Sequence, residues 1–358
     1  MCKSVLHAFL HELPKCEHHV HIEGTLSPEV LFSLAEQNGI QLTSDDPALA
    51  SPDTLRRRYE NFASLDDFLH YFFIGCSVLL TSSDFELLTY SHLEKLHAQE
   101  VRHVEFSFDP QVHVARGVSY ETIVSGLTTA RTRAAHDFPD MSIAFIPCLV
   151  RHLPKNSALE LVSDLLDLGY FADGTLAGFG MTSTEIGMHP SGFSTVYKAL
   201  REAGIERLTA HYGEEGPAEY VEAAISDLGL TRIDHGRRAS EDAALLGRLA
   251  GAGTMLTMCP ISNVVLKGVG SIRDLPVRDF LTAGVRFSIN TDDPAYCGAG
   301  LLDNYCAIQE AFDLSIEEWE FIASGAIEGS WCSQDRKQYL KTMLNLVVGK
   351  WKNGRQEG

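Results

Sequence analysis

Residues 16–25 read C-E-H-H-V-H-I-E-G-T, a short apolar run that carries two histidines separated by one valine. Side chains alternate faces along a strand, so His19 and His21 share one side while Val20 and Ile22 share the other. Two imidazoles about 6 to 7 Å apart along a strand can converge on one cation, and neutral imidazole ligates zinc, copper, iron and nickel. An isolated H-x-H is also ordinary surface chemistry, and His18 beside the pair shows that histidine is not rare here. The pair acquires meaning only through partners elsewhere in the chain.

Outward from this run one pattern recurs: a β-rich apolar segment, a turn or loop, then a segment with helical spacing. The strand-like segments are 17–22, 103–108, 142–150, 176–181, 208–212, 232–235, 255–258 and 285–289. Helical patterns cover 28–38, 120–137, 158–168, 190–203, 218–228, 242–252 and 276–283. Such alternation implies parallel strands joined by right-handed crossovers, and eight units argue for a closed (β/α)8 TIM-type barrel of the α/β class. Additional helices are expected in the long first crossover and at the C-terminus. Within that crossover the aromatic-rich segment 62–80 either lies over the barrel mouth or packs as an ordinary helix against the barrel. No internal repeat or Gly/Ser-rich linker marks a boundary, so one domain over 1–358 is expected, ending in helices over 301–352 and a polar tail, K-N-G-R-Q-E-G, that frays.

Composition narrows the partners. The 358 residues are 45% hydrophobic and 22% charged, as in an ordinary globular chain, and the net charge of −19 disfavours nucleic-acid backbone or anionic membrane. A small neutral or cationic ligand is favoured, and oligomeric state is not legible. The N-terminal apolar patch is broken by His7, His11 and Glu12, unlike a secretory signal, and no later run reaches the roughly 18 apolar residues of a membrane span. Eight scattered cysteines without a C-x-x-C pair read as buried reduced thiols, which implies a cytosolic or nuclear setting.

Ionisable residues collect at the C-terminal ends of the strand-like segments. The fifth ends T-A-H-Y-G-E-E-G-P, the sixth R-I-D-H-G and the eighth N-T-D-D-P-A-Y. In a (β/α)8 barrel that end builds the active site. Each stretch has a plain structural use as well: Asp292-Asp293-Pro294 can start a helix, and the Glu214 and Asp234 stretches can be charged or glycine-containing turns. Their shared position argues for function. Three imidazoles and one carboxylate, His19, His21, His211 and Asp292, make a zinc-type site that keeps a position for water. His235 is placed to orient that water or take its proton, and Glu214, three residues after a ligand, to deliver a proton to substrate.

The same stretches carry a family resemblance. C-E-H-H-V-H-I-E-G-T, F-D-P-Q-V-H, C-L-V-R-H, H-Y-G-E-E-G-P-A-E-Y, R-I-D-H-G, C-P-I-S-N-V, S-I-N-T-D-D-P-A-Y and G-S-W-C follow in order along nearly the whole chain. The chain thereby resembles the adenosine/adenine deaminases of the metal-dependent amidohydrolases, most closely the fungal-type adenine deaminases. The resemblance implies a barrel with one Zn2+ per chain that replaces the exocyclic amine of a 6-aminopurine by oxygen and releases ammonia. It implies His19, His21, His211 and Asp292 as metal ligands, Glu214 as proton donor to ring N1, and His235 as the water-orienting base. Asp293 falls where the family contacts purine N7 and Ser183 where it contacts the N3 side.

Three positions depart from the family pattern. Tyr212 makes H-Y-G-E of the usual H-A-G-E, Thr182 stands where G-L-D-S has its aspartate, and the loop A-Y-C-G-A-G around Cys297 has lost two aromatic rings. All three are expected on the substrate wall, where an unmatched buried polar group costs roughly 1 to 3 kcal/mol. Losing a carboxylate at Thr182 would weaken free adenine, and losing aromatics near Cys297 and Gly300 would admit a larger or N6-substituted base; the resemblance keeps adenine as the leading substrate. The alternatives are a paralogue acting on another aminated heterocycle, such as an N6-modified adenine, a nucleoside or a secondary metabolite, and, in another class, a catalytically weakened purine-binding regulator.

Overall fold

The computed structural model describes residues 3–42 and 45–354. Eight parallel strands form the centre: β1 Lys15–His21, β2 Val101–Phe108, β3 Ser142–Val150, β4 Gly180–Thr182, β5 His211–Tyr212, β6 Arg232–His235, β7 Met255–Met258 and β8 Arg286–Ile289. Regular ladders run β1 to β4 and β5 to β8. Two seams close them into a barrel. At the first, Phe179 N–H donates to Arg207 O (2.9 Å) and Thr209 N–H to Phe179 O (3.0 Å). At the second, His21 N–H donates to Asp292 O and Asp292 N–H to His19 O, both at 3.0 Å.

The expected strands 142–150, 232–235 and 255–258 agree with β3, β6 and β7; for β3 the reason is its continuous apolar run, which a strand covered on both faces requires. The expected 176–181 and 208–212 shrink to β4 and β5. Trp331 packs into the seam between them: a Cβ on Gly178 would lie 2.5 Å from its ring, so the backbones meet there through one bridge. The expected helix 190–203 divides into a 3-10 turn, Pro190–Phe193, and a helix, Ser194–Glu202. Helix starts follow local chemistry: Ser27 caps Pro28–Gln37 by accepting from Val30 N–H, and Asp242 caps Ala243–Ala252.

The first crossover contains the helix Leu65–Cys76, and it covers the barrel mouth. Its Phe68 meets Tyr296 edge-on at 5.3 Å, and Tyr59 stacks on the same ring at 4.7 Å. Arg116 clamps the helix end by donating to the carbonyls of Cys76 (2.7 Å) and Ser77 (2.9 Å).

Three C-terminal helices, Leu301–Phe312, Ile316–Gly329 and Gln334–Gly354, close the opposite side. Residues 352–354 of the expected frayed tail are therefore helical, while 355–358, and Cys2 among the expected buried thiols, lie outside the described residues. Inside the barrel floor Glu105 on β2 pairs with Arg232 on β6 at 2.5 Å, and Arg232 also donates to Gly329 O at 2.8 Å and lies over Trp331. Removing one partner strands a buried charge, so Glu105→Ala is expected to cost about 3 to 5 kcal/mol in denaturant unfolding, whereas an exposed pair such as Lys198–Glu202 contributes less than about 1 kcal/mol.

Candidate active site

β1 delivers His19 and His21 into the barrel mouth, and alternation turns His18 away to Ser288 (3.1 Å) and Ser330 (2.8 Å). β5 ends on His211, and the segment after β8 supplies Asp292. His211 Nε2 lies 3.0 Å from His19 Nε2 and 3.2 Å from His21 Nε2. Asp292 Oδ1 lies 3.0 Å from His19 Nε2 and 3.4 Å from His21 Nε2. Four ligand atoms around an ion at about 2.0 Å stand roughly 3.3 Å apart in a tetrahedral arrangement. Unprotonated imidazole lone pairs at these separations repel one another, so the donor set fits a cation.

The groups behind the ligands orient them. Thr257 Oγ1 bridges His19 Nδ1 and Asp234 Oδ1, 2.9 Å from each, and the other Asp234 oxygen is 3.5 Å from His211 Nδ1. A carboxylate in that place keeps protons on Nδ1 and leaves the Nε2 lone pairs pointing inward. Ser262 donates to Asp292 Oδ2 at 2.7 Å, turning Oδ1 toward the histidines.

His235 also stands close: His19, His211, His235 and Asp292 offer ligand atoms within 4.8 Å of one another. Its Nε2, however, is 3.8 Å from the outer oxygen of Asp292 and 3.3 Å from Glu214 Oε2, so it sits beside the four converging atoms, facing the acid. Burial holds the His235 imidazole down to about 3, neutral and able to accept a proton. Burial, with the charges of Asp292 and Glu185, pushes the Glu214 carboxyl well above the usual range, as a proton donor needs. Asp293 is raised likewise by burial and by Asp292, and its Oδ1 has no hydrogen-bond partner. Gly24 is required beside it, since a Cβ there would lie 2.1 Å from that oxygen.

The loop that bears Glu214 is held by a residue the sequence did not announce. The Glu185 carboxylate accepts from the backbone N–H groups of Gly213 and Glu214 (2.8 Å each), Glu215 (3.0 Å) and Gly216 (3.1 Å). Arg237 donates to Glu214 O at 2.6 Å.

His21, His211, Glu214, His235, Asp292 and Asp293 line a cavity with Thr182, Ser183, Asp109 and the mouth-helix residues Phe68, Phe72 and Phe73. Thr182 donates to Asp109 Oδ1 at 3.0 Å, and Ser183 Oγ lies 2.6 Å from His152 Nδ1. Two expected wall residues stand off the cavity. Alternation points Tyr212 out of the barrel, where its ring lies under the Arg151 guanidinium at 4.6 Å and its hydroxyl meets Met188 O at 3.5 Å. Cys297 ends the short helix Pro294–Cys297 behind Asp293 and does not reach the lining. Sequence reading also passed over Asp109 and Asp234, although both lie at strand ends, the position that singled out the others.

The chain matches the adenosine deaminase family over residues 14–346. It belongs to that family. Among curated relatives it is 51% identical to an adenine deaminase of Aspergillus fumigatus over 98% of this chain and 99% of that protein. It is 49% identical to an adenine deaminase of Gibberella zeae over 99% of each. Among solved structures it resembles an adenine deaminase from Arthrobacter aurescens, with TM-score 0.87 and 39% identity over 95% of this chain and 99% of that one. An amidohydrolase from Burkholderia ambifaria with bound Zn has TM-score 0.87 and 25% identity, covering 100% of this chain and 96% of its own.

Within the family frame, Glu185 sets where the acid sits. Glu185→Ala is expected to leave metal content unchanged and to lower kcat at least about 100-fold, since a misplacement of about 1 Å costs that much; metal analysis beside steady-state kinetics checks it.

Proposed function

We propose that this chain is an adenine deaminase holding one zinc ion, which converts adenine and water to hypoxanthine and ammonia. The observation that carries the reading is identity of 49% and 51% to adenine deaminases over 98–99% of the chain, combined with the assembly of every expected hydrolytic group at one barrel end. His19, His21, His211 and Asp292 would hold the cation. A cation there lowers the pKa of a coordinated water toward about 7 and so supplies a nucleophile at neutral pH.

The chain's own groups do the rest. Protonated Glu214 donates to ring N1, which makes C6 electrophilic. Neutral His235 takes the proton of the attacking water. Asp293, kept in its acid form, donates to N7 and draws further charge from the ring. The proton on His235 then passes to the exocyclic nitrogen, C–N cleavage releases ammonia, and the remaining C6 hydroxyl proton goes to the Glu214 carboxylate, which leaves the C6 oxygen as the carbonyl and restores the acid. Phe68, Phe72 and Phe73 keep bulk water off the ring.

Two of the three departures, Tyr212 and Cys297, lie away from the cavity lining, which favours adenine over an N6-modified or otherwise different heterocycle. No helix among the described residues is long and apolar enough to cross a membrane. Cys16, Cys76, Cys148 and Cys259 are buried free thiols, which supports a cytosolic and nuclear setting for one catalytic domain.

Ammonia release across a panel of aminopurines tests the reading: adenine is expected to be turned over far faster than adenosine or N6-methyladenine, and an inert wild-type protein with full metal overturns it. Glu214→Gln is expected to lose at least about 1000-fold in kcat while one zinc per chain remains by elemental analysis. Asp292→Ala is expected to lose zinc and activity together, and full zinc in that variant would remove Asp292 from the ligand set.

A further inference from the structure

The ligand cluster, Glu214, His235 and Asp293 come from β1, β5, β6 and the segment after β8. The ends of β2 and β4, next to β1 and β5 in the ring, add Asp109 and Thr182 to the same lining. A flat bicyclic base whose amine-bearing carbon faces the ligand cluster leaves its remaining edge for these two side chains. In a 6-aminopurine with N1 and N7 already engaged, that edge carries N3 and the N9–H.

Asp109 is 4% exposed, and what exposure it has is to the cavity. Its backbone N–H is fixed by Glu23 Oε1 at 3.0 Å, and Glu23 is fixed in turn by His113 Nε2 at 2.9 Å. Its Oδ1 is occupied by the Thr182 hydroxyl at 3.0 Å. Its Oδ2 makes no hydrogen bond within the described residues. The backbone is thus anchored by Glu23 and the side chain by Thr182, and one carboxylate oxygen of this cavity-lining residue is left without a protein partner. Glu185, which holds only backbone, has both oxygens satisfied by protein; the open oxygens of Glu17 and Glu23 are buried and absent from the cavity lining, whereas Asp109 is part of it.

We propose that Asp109, oriented by Thr182, accepts the N9–H of the free base and thereby determines the preference for a nucleobase over its N9-substituted nucleoside. This rests on the aminopurine reading of the same site. A nucleoside lacks that hydrogen and brings a substituent against a buried acceptor, and pockets built to satisfy one polar group of a substrate reject analogues lacking it by factors of about 10⁴ to 10⁵.

The test compares kcat/KM for adenine and for 9-methyladenine, which has a methyl group in place of the N9 hydrogen. Wild-type protein is expected to favour adenine by at least about 10³-fold, and Asp109→Ala to lower that ratio at least about 100-fold while zinc content and thermal midpoint are kept. Asp109→Asn keeps an acceptor oxygen: its amide can face Thr182, whose hydroxyl can turn to the Leu149 carbonyl now 3.4 Å away. That variant is expected to retain adenine turnover within about 10-fold and to keep most of the preference. Equal losses on both substrates, with the ratio unchanged, assign Asp109 a structural role and overturn the inference, as does a wild-type protein that turns over both substrates alike. A wild-type protein inert toward adenine overturns the functional reading and this inference together, whereas an active one with an unchanged ratio in Asp109→Ala overturns only the inference.

Discussion

Two backbone hydrogen bonds between β1 and residue 292 hold this molecule in its working form. His21 N–H to Asp292 O and Asp292 N–H to His19 O close the barrel, and the same pair of contacts brings the Asp292 carboxylate to both β1 histidines. Closure of the fold and assembly of the cation site are one event. Asp292 adopts φ +67° to do it, a left-handed conformation that a non-glycine residue holds only when its surroundings impose it. His235 and Ser183 share the conformation, at +62° and +80°, and both also lie on the cavity. Three of the six left-handed non-glycine residues among those described thus lie on the cavity, the others being Glu100, Lys267 and Asp313.

Charge placement follows from the same closure. Asp292 is deeply buried, yet the neighbouring imidazoles of His19 and His235 hold it well below the usual carboxylate range. Its charge in turn raises Glu214 and Asp293, which burial already pushes upward. One carboxylate among histidines therefore helps raise two adjacent carboxyls, as the proposed mechanism asks of its two proton donors.

The order of elements was legible because its signals are local. Runs such as S-I-A-F-I-P-C-L-V are apolar because strands in a parallel barrel are covered on both faces, and β3 agrees with the run at both ends. The strands that fell short, β4 and β5, did so through Trp331, which lies more than a hundred residues from either and packs into their seam. Glu185 had no local mark at all. Its role depends on four amide groups some thirty residues away, and only the folded chain brings them to its carboxylate.

By itself the sequence marked the residues proposed to carry the chemistry: His19 and His21 by strand alternation, His211, His235, Glu214, Asp292 and Asp293 by their position at strand ends. Period and position are properties of the local chain, so they survive without coordinates. Only the tertiary structure decided what those residues face. It turned Tyr212 outward, set Cys297 behind Asp293, laid Phe68 and Phe72 over the mouth, and left Asp109 with one oxygen on Thr182 and one without a protein partner. The direction of a side chain depends on which strands become neighbours around the closed ring, and that neighbourhood is made by the β8 to β1 seam rather than by any stretch of sequence.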